Sequence, residues 1–283
     1  MSRRFLFALV AGLALLAGAS ADPAPAPVPA ARAPEKARPT GTDAILAFLH
    51  EQEVVWDDNI NEIPLWELLQ KMTKWSGLNI SVNEQAFKTT QVNDIKELKP
   101  NVVATQLRGL TGHQFLATVL EGMDATYLVR GGRIEIVPVA YAARVAKAKL
   151  TEPEDGPSVL AEPLVCVSFK EKALNEAVAL VAVRYDLTVV VAPQSGDARA
   201  GFVTARLLNV PADKALDLLA VQCDLRVVRQ ANAFLVTSRD HANELFAERV
   251  EREKQEIELE RLKEGPPPAP APVPEPPKPE PKQ

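Results

Sequence analysis

The apolar positions between Leu65 and Val82 change period. Leu65, Leu68, Leu69 and Met72 fall at i, i+3, i+4 and i+7, the spacing of one helix face. Leu78, Ile80 and Val82 then alternate with other residues, the spacing of a strand. Pro64 suits the first helical turn and Gly77 the position just past the last one. The same change of period returns 109 positions later, where Leu174, Val178 and Val181 stand for Leu65, Leu69 and Met72, and Leu187, Val189 and Val191 stand for Leu78, Ile80 and Val82.

A second block repeats at an offset of 100: Val102–Val137 aligns without a gap to Phe202–Thr237. Leu107 meets Leu207, Leu116 meets Leu216, Met123 meets Cys223 and Ile136 meets Val236. The drop from 109 to 100 assigns nine extra residues to the first copy, within 83–101. Each copy reads as a strand leading into an amphipathic helix, then a hairpin. Gly131-Gly132 supplies a strong two-residue turn and Ala231-Asn232 a weaker one. Short strands at Val54–Trp56 and Val165–Phe169 complete a β-α-β-β-α-β-β order. The fold class that follows is α+β: two tandem small βαββαββ-type domains, with helices on one face of a small mixed sheet.

The pattern also sets boundaries. Residues 42–140 form the first unit with a flanking helix, 141–163 a linker, and 164–240 the second unit. Val139–Leu150 reads as helical, and the acidic, Pro-bearing Thr151–Pro163 breaks it, so each unit is expected to fold alone. Residues 241–264 alternate in charge, with Glu248–Arg252 and Arg252–Glu256 at i, i+4. This helix is either a solvated spacer or, through the thin stripe of Phe246, Val250 and Ile257, the seam of a homodimer.

The ends differ in kind. Arg3 and Arg4 precede the apolar run Phe5–Ala17, and Ala19-Ser20-Ala21 supplies the small residues of a cleavage site, so 1–21 reads as a signal peptide cut after Ala21. The run is shorter than the ~20 residues a spanning helix needs, although retention as an anchor is the alternative. Export places the chain in the periplasm or cell envelope, with no transmembrane span in the mature chain. Of the 24 Pro, six lie in 23–39 and ten in 266–281, so 22–41 and 265–283 read as Pro-rich disordered tails. The net charge is −5, and losing Arg3 and Arg4 takes it to −7, which argues against a general nucleic-acid binder.

Candidate chemistry is sparse. Gly109-Leu-Thr-Gly112 spells the GxxG of an RNA-binding loop but follows a strand, and Thr111 is a plausible helix cap. His113 has Asp124 as its one neighbour worth weighing, with no recognisable nucleophile. His50 and His241 lie in flanking helices and read as solvated, and Asp57-Asp58 reads as a turn rather than a metal pair. No catalytic, cofactor-binding or metal-binding residue is expected. Export permits a disulfide between Cys166 and Cys223, the only cysteines; the bland reading has Cys223 filling the core where Met123 stands. Trp56, Trp66 and Trp75 all fall in the first unit, and Trp66 lies one position off the apolar helix face.

Val167–Val178, Leu187–Val191 and Val203–Leu219 resemble the short amino-terminal domain shared by secretins and TonB-dependent receptors, most closely along Leu208-Asn-Val-Pro-Ala-Asp-Lys-Ala-Leu-Asp-Leu-Leu219. The second unit carries the likeness along most of 164–237, and the first is similar as a diverged copy. The resemblance implies a non-enzymatic module that contacts envelope proteins, with neither pore nor barrel following it here. The alternative is a carbohydrate- or peptidoglycan-binding adaptor using the Trp-bearing unit. A small sheet leaves strand edges free to accept a partner's strand. The expected edge is the terminal hairpin of the second unit, with Leu225, Phe234, Leu235 and Val236 as contact residues and Trp66 as a further exposed aromatic.

Overall fold

The computed structural model describes residues 41–264 apart from 57–58, 91–93, 103–106, 108 and 152–157. The signal segment with Ala19 and Ala21, Asp57-Asp58 and both Pro-rich tails lie outside the described residues, which all belong to one compact unit. The fold is mixed α+β with small sheets. In chain order the elements are α1 (Thr42–Glu51), α2 (Leu65–Ser76), β1 (Ile80–Val82), α3 (Glu84–Thr89), α4 (Gly112–Glu121), β2 (Ala125–Arg130), β3 (Arg133–Pro138), α5 (Val139–Ala146), β4 (Leu150–Thr151) and β5 (Val159–Leu160). There follow β6 (Leu164–Ala173), α6 (Leu174–Arg184), β7 (Thr188–Val191), β8 (Phe202–Pro211), α7 (Ala212–Val221), β9 (Leu225–Gln230), β10 (Ala233–Ser238) and α8 (Arg239–Glu264).

The repeat is visible in the backbone. α4, β2 and β3 recur as α7, β9 and β10 at an offset of 100, residue for residue. Both three-stranded sheets place the last strand in the centre, with orders β1-β3-β2 and β7-β10-β9. Register is kept as well: Val82 pairs with Ile136, and its equivalent Val191 with Val236. Backbone in the left-handed region recurs at Gly109 and Asn209, Asp124 and Asp224, Gly131 and Ala231. The first halves match less fully. Among the described residues the strand expected at 54–56 shows a single bridge, from Glu53 to Thr111, whereas β6 runs for ten residues and pairs with β8.

The strands of the second unit therefore divide into two sheets, β6-β8 and β7-β10-β9, rather than one mixed sheet. Leu174, Val178 and Val181 of α6 and Leu216 and Leu219 of α7 share a core with Val165 and Val167 of β6 and Phe234 and Val236 of β10. One helix pair thus fills the space between side chains of both sheets, which buries apolar residues that neither sheet could cover alone.

Independent units were expected from the linker, and the packing is different. Cys166 and Leu208 of the second unit pack in the first unit's core, and Leu164 joins Leu128, Val137 and Ala142 in a third cluster over the first sheet. The linker itself folds back as the β4-β5 pair.

The entry to α4 is tight. Thr111 caps it, with Gln114 returning the bond in a capping box, as its side chain chemistry suggested. A Cβ at Gly112 would stand 2.6 Å from the Phe48 carbonyl oxygen and 2.7 Å from its ring, whereas one at Gly122, at the other end of the helix, would meet nothing within 4 Å. Gly112→Ala is expected to cost about 1–3 kcal/mol through overpacking, and Gly122→Ala to be neutral within ~0.5 kcal/mol. Urea unfolding of the two variants checks this, and equal effects would contradict it.

Candidate functional site

Small sheets leave backbone N–H and C=O groups unpaired along their outer strands, and burying such groups without partners is costly. In this chain side chains supply the partners. β2 is an outer strand of the first sheet, and at Val129 its backbone faces the second unit. The Asn209 amide pairs with it twice: Val129 N–H donates to Asn209 Oδ1 at 2.7 Å, and Asn209 Nδ2 donates to the Val129 carbonyl at 2.9 Å. Asn209 reaches that place because β8 is bulged between Val165–Val210 and Val167–Leu207. Its own φ is 56°, a conformation Asn tolerates and in which the first copy has Gly109.

Opposite the bulge lies Cys166. Its N–H donates to the Tyr185 hydroxyl at 2.6 Å, and its carbonyl accepts from His50 Nε2 at 2.6 Å and from Tyr185 at 3.1 Å. A carbonyl only accepts, so His50 carries its proton on Nε2. His113 Nδ1 is hydrogen-bonded to the Tyr127 hydroxyl at 2.6 Å, and the His113 and Tyr185 rings lie 4.6 Å apart. The joint between the copies is thus a cluster of two imidazoles, two phenols and a thiol. α1 supplies His50, α4 His113, β2 Tyr127, β6 Cys166, and Tyr185 ends α6.

Desolvation governs its chemistry. Burial lowers both histidines to about 4, helped at His113 by His50 and at His50 by Arg184. Burial also pushes the Cys166 thiol up to about 12 and raises the Tyr127 and Tyr185 hydroxyls. These directions keep every group neutral at physiological pH, and they withhold a thiolate or phenolate nucleophile.

A groove of about 510 Å³ opens beside the joint, lined among others by His113, Asp124, Tyr127, Tyr185 and Asp186. His113 and Asp124 both line it, yet the recorded partner of the His113 ring is Tyr127. Burial raises the Asp124 carboxyl, whose Oδ1 has no hydrogen-bond partner among the described residues. Among the described residues no group of three or more His, Cys, Asp or Glu is placed to hold a metal ion.

The other expected site residues divide. β10 is the central strand, with Leu235 paired to Val190 on one side and Val228 on the other, so Phe234–Thr237 is not an edge. Phe234 and Val236 face the core and are buried, as is Leu225. The correction has a simple cause: the last strand inserts between its hairpin partner and the parallel β7. The β9 side of that hairpin is an outer strand, and there Arg249 of α8 donates to the Arg229 carbonyl at 2.8 Å. Trp66 is 37 % exposed and Trp75 50 %, whereas Trp56 packs on the first core beside Phe115. Cys166 and Cys223 are both free thiols; a Cβ at Gly201 would meet Cys223 Sγ at 2.7 Å, so that thiol fills space in its own unit. His50, read from sequence as solvated, is a joint residue, whereas His241 bonds Glu244 at the start of α8.

No protein-family model matches the chain, and no curated protein matches it.

Two outcomes follow from the joint. Asn209→Gly keeps the left-handed backbone but removes both bonds to Val129, and should cost about 2 kcal/mol in urea unfolding; a change under ~0.5 kcal/mol would contradict the latch. The histidines have folded values below the ordinary 6.5, so the unfolded chain binds the protons first. Stability is therefore full above about pH 7 and falls as pH drops from about 6.5 towards 4. Trp fluorescence during urea unfolding across this range reads the effect, and His113→Gln should flatten the dependence.

Proposed function

We propose that this chain is a non-enzymatic protein of the cell envelope, exported by its amino-terminal signal, that acts by binding another protein. The supporting observation is where its reactive side chains go. His50, His113, Tyr127, Tyr185 and Cys166 are spent on holding the two copies together, in neutral forms, with the thiol pushed up to about 12 rather than activated. The second unit also holds large apolar side chains in solvent: Val183 is 78 % exposed, Phe202 73 % and Val190 50 %. Exposed apolar side chains of this kind suit protein contacts. Likeness to the short amino-terminal domain of secretins and TonB-dependent receptors supports the same reading, as does the βαββαββ order of the second unit. The carbohydrate reading draws less support, because Trp66 and Trp75 stand nine residues apart on α2 and so point half a turn away from each other.

Capture experiments separate these readings. The tagged full chain, incubated with solubilised envelope from its host, is expected to retain a discrete protein saturably and to leave purified peptidoglycan unbound. Sedimentation with peptidoglycan, with no protein retained, would contradict the proposal.

A further inference from the structure

Strand edges in this molecule are closed by side chains at one place after another. Asn209 covers Val129 on β2, Tyr185 and His50 cover Cys166 on β6, Gln222 accepts from Thr204 N–H on β8 at 3.1 Å, and Arg249 covers Arg229 on β9. One outer strand of the second sheet differs. β7, Thr188-Val-Val-Val191, is bonded only to β10 among the described residues. Its four residues hold no charge, no proline and no bulge.

The direction of its free groups follows from one bond. Ala192 N–H donates to the Val236 carbonyl at 2.8 Å, so the backbone of residue 192 faces β10. Backbone groups alternate sides along a parallel strand, which turns those of Thr188 and Val190 towards β10 and those of Val189 and Val191 away from it. Two N–H and two C=O groups thus point outward, next to the half-exposed Val190 side chain. Such an array recognises extended backbone and little else.

We infer that β7 is a strand-acceptor edge, and that its occupant is an extended, proline-free segment of another envelope protein with β-branched residues at alternate positions. The inference rests on the protein-binding reading above and specifies its mode. The bound segment would make the sheet four-stranded, its N–H and C=O groups meeting those of Val189 and Val191, with a side chain packed on Val190. A second copy of this chain is the less favoured occupant, since four residues of self-pairing on their own fall far below the contact area of a stable dimer.

The test uses a blocked Thr-Val-Thr-Val-Thr peptide as probe, titrated into the full chain and followed by amide NMR shifts. Saturable shifts centred on Val189 and Val191 are expected. Val191→Pro removes an outward N–H while sparing the ladder to β10, a position where proline is tolerated in an edge strand, and should weaken binding at least tenfold with the circular dichroism unchanged. A fully N-methylated probe, which leaves the protein untouched, should not bind, and it carries the test if Val191→Pro unfolds. Equal affinity for Val191→Pro in folded form, binding of the methylated probe, or no binding up to the probe's solubility limit would each overturn the inference. So would a dimer of the peptide-free chain that Val191→Pro dissolves. If the envelope protein captured above binds folded Val191→Pro as well as the unsubstituted chain, this edge is overturned while the protein-binding reading stands. If nothing is captured but the probe behaves as expected, the edge stands and the reading fails.

Discussion

The side-chain amide of Asn209 on the backbone of Val129 is the contact on which the arrangement of the two copies depends. It does what a further strand would do, offering one donor and one acceptor to a residue at a sheet edge, but from a single side chain. The bulge that aims it also turns Cys166 towards Tyr185 and His50, so one irregularity in β6 and β8 sets both halves of the joint. The same device occurs inside the first unit, where the Asn61 amide pairs with both backbone groups of Val102 at 2.8 and 2.9 Å. Sheets of two and three strands cannot satisfy their own edges, and amides, phenols and imidazoles make up the shortfall.

Much of this was legible in the sequence. The 100-residue offset carries α4, β2 and β3 onto α7, β9 and β10 because turn residues and apolar spacing repeat together. Thr111, Gly77 and the two hairpin turns sit where their local chemistry put them. Strand order was not legible, because periodicity records which face of a strand is buried and says nothing of which strand lies beside it. That is why Phe234–Thr237 was expected at an edge and lies in the centre. The joint escaped for a related reason: His50, His113, Tyr127 and Tyr185 are far apart in sequence and carry no motif. One clue was available. Asn209 stands where the first copy has Gly109, the two residue types most at ease in left-handed backbone.

Two histidines, two phenols and a thiol meet in the joint, and burial governs the protonation of each. Burial keeps the thiol and the phenols protonated and both imidazoles neutral at neutral pH. The polar side chains of the joint satisfy backbone and one another.

Native-state hydrogen exchange of single amides tests the central claim most directly, because it reads capped and uncapped edge strands in the same molecule. Val129 and Cys166 N–H, closed by Asn209 and Tyr185, should exchange at the slow rates of the sheet centre, whereas Val189 and Val191 N–H should exchange like free backbone. Rapid exchange at Val129 and Cys166, equal to that at Val189 and Val191, would contradict the account.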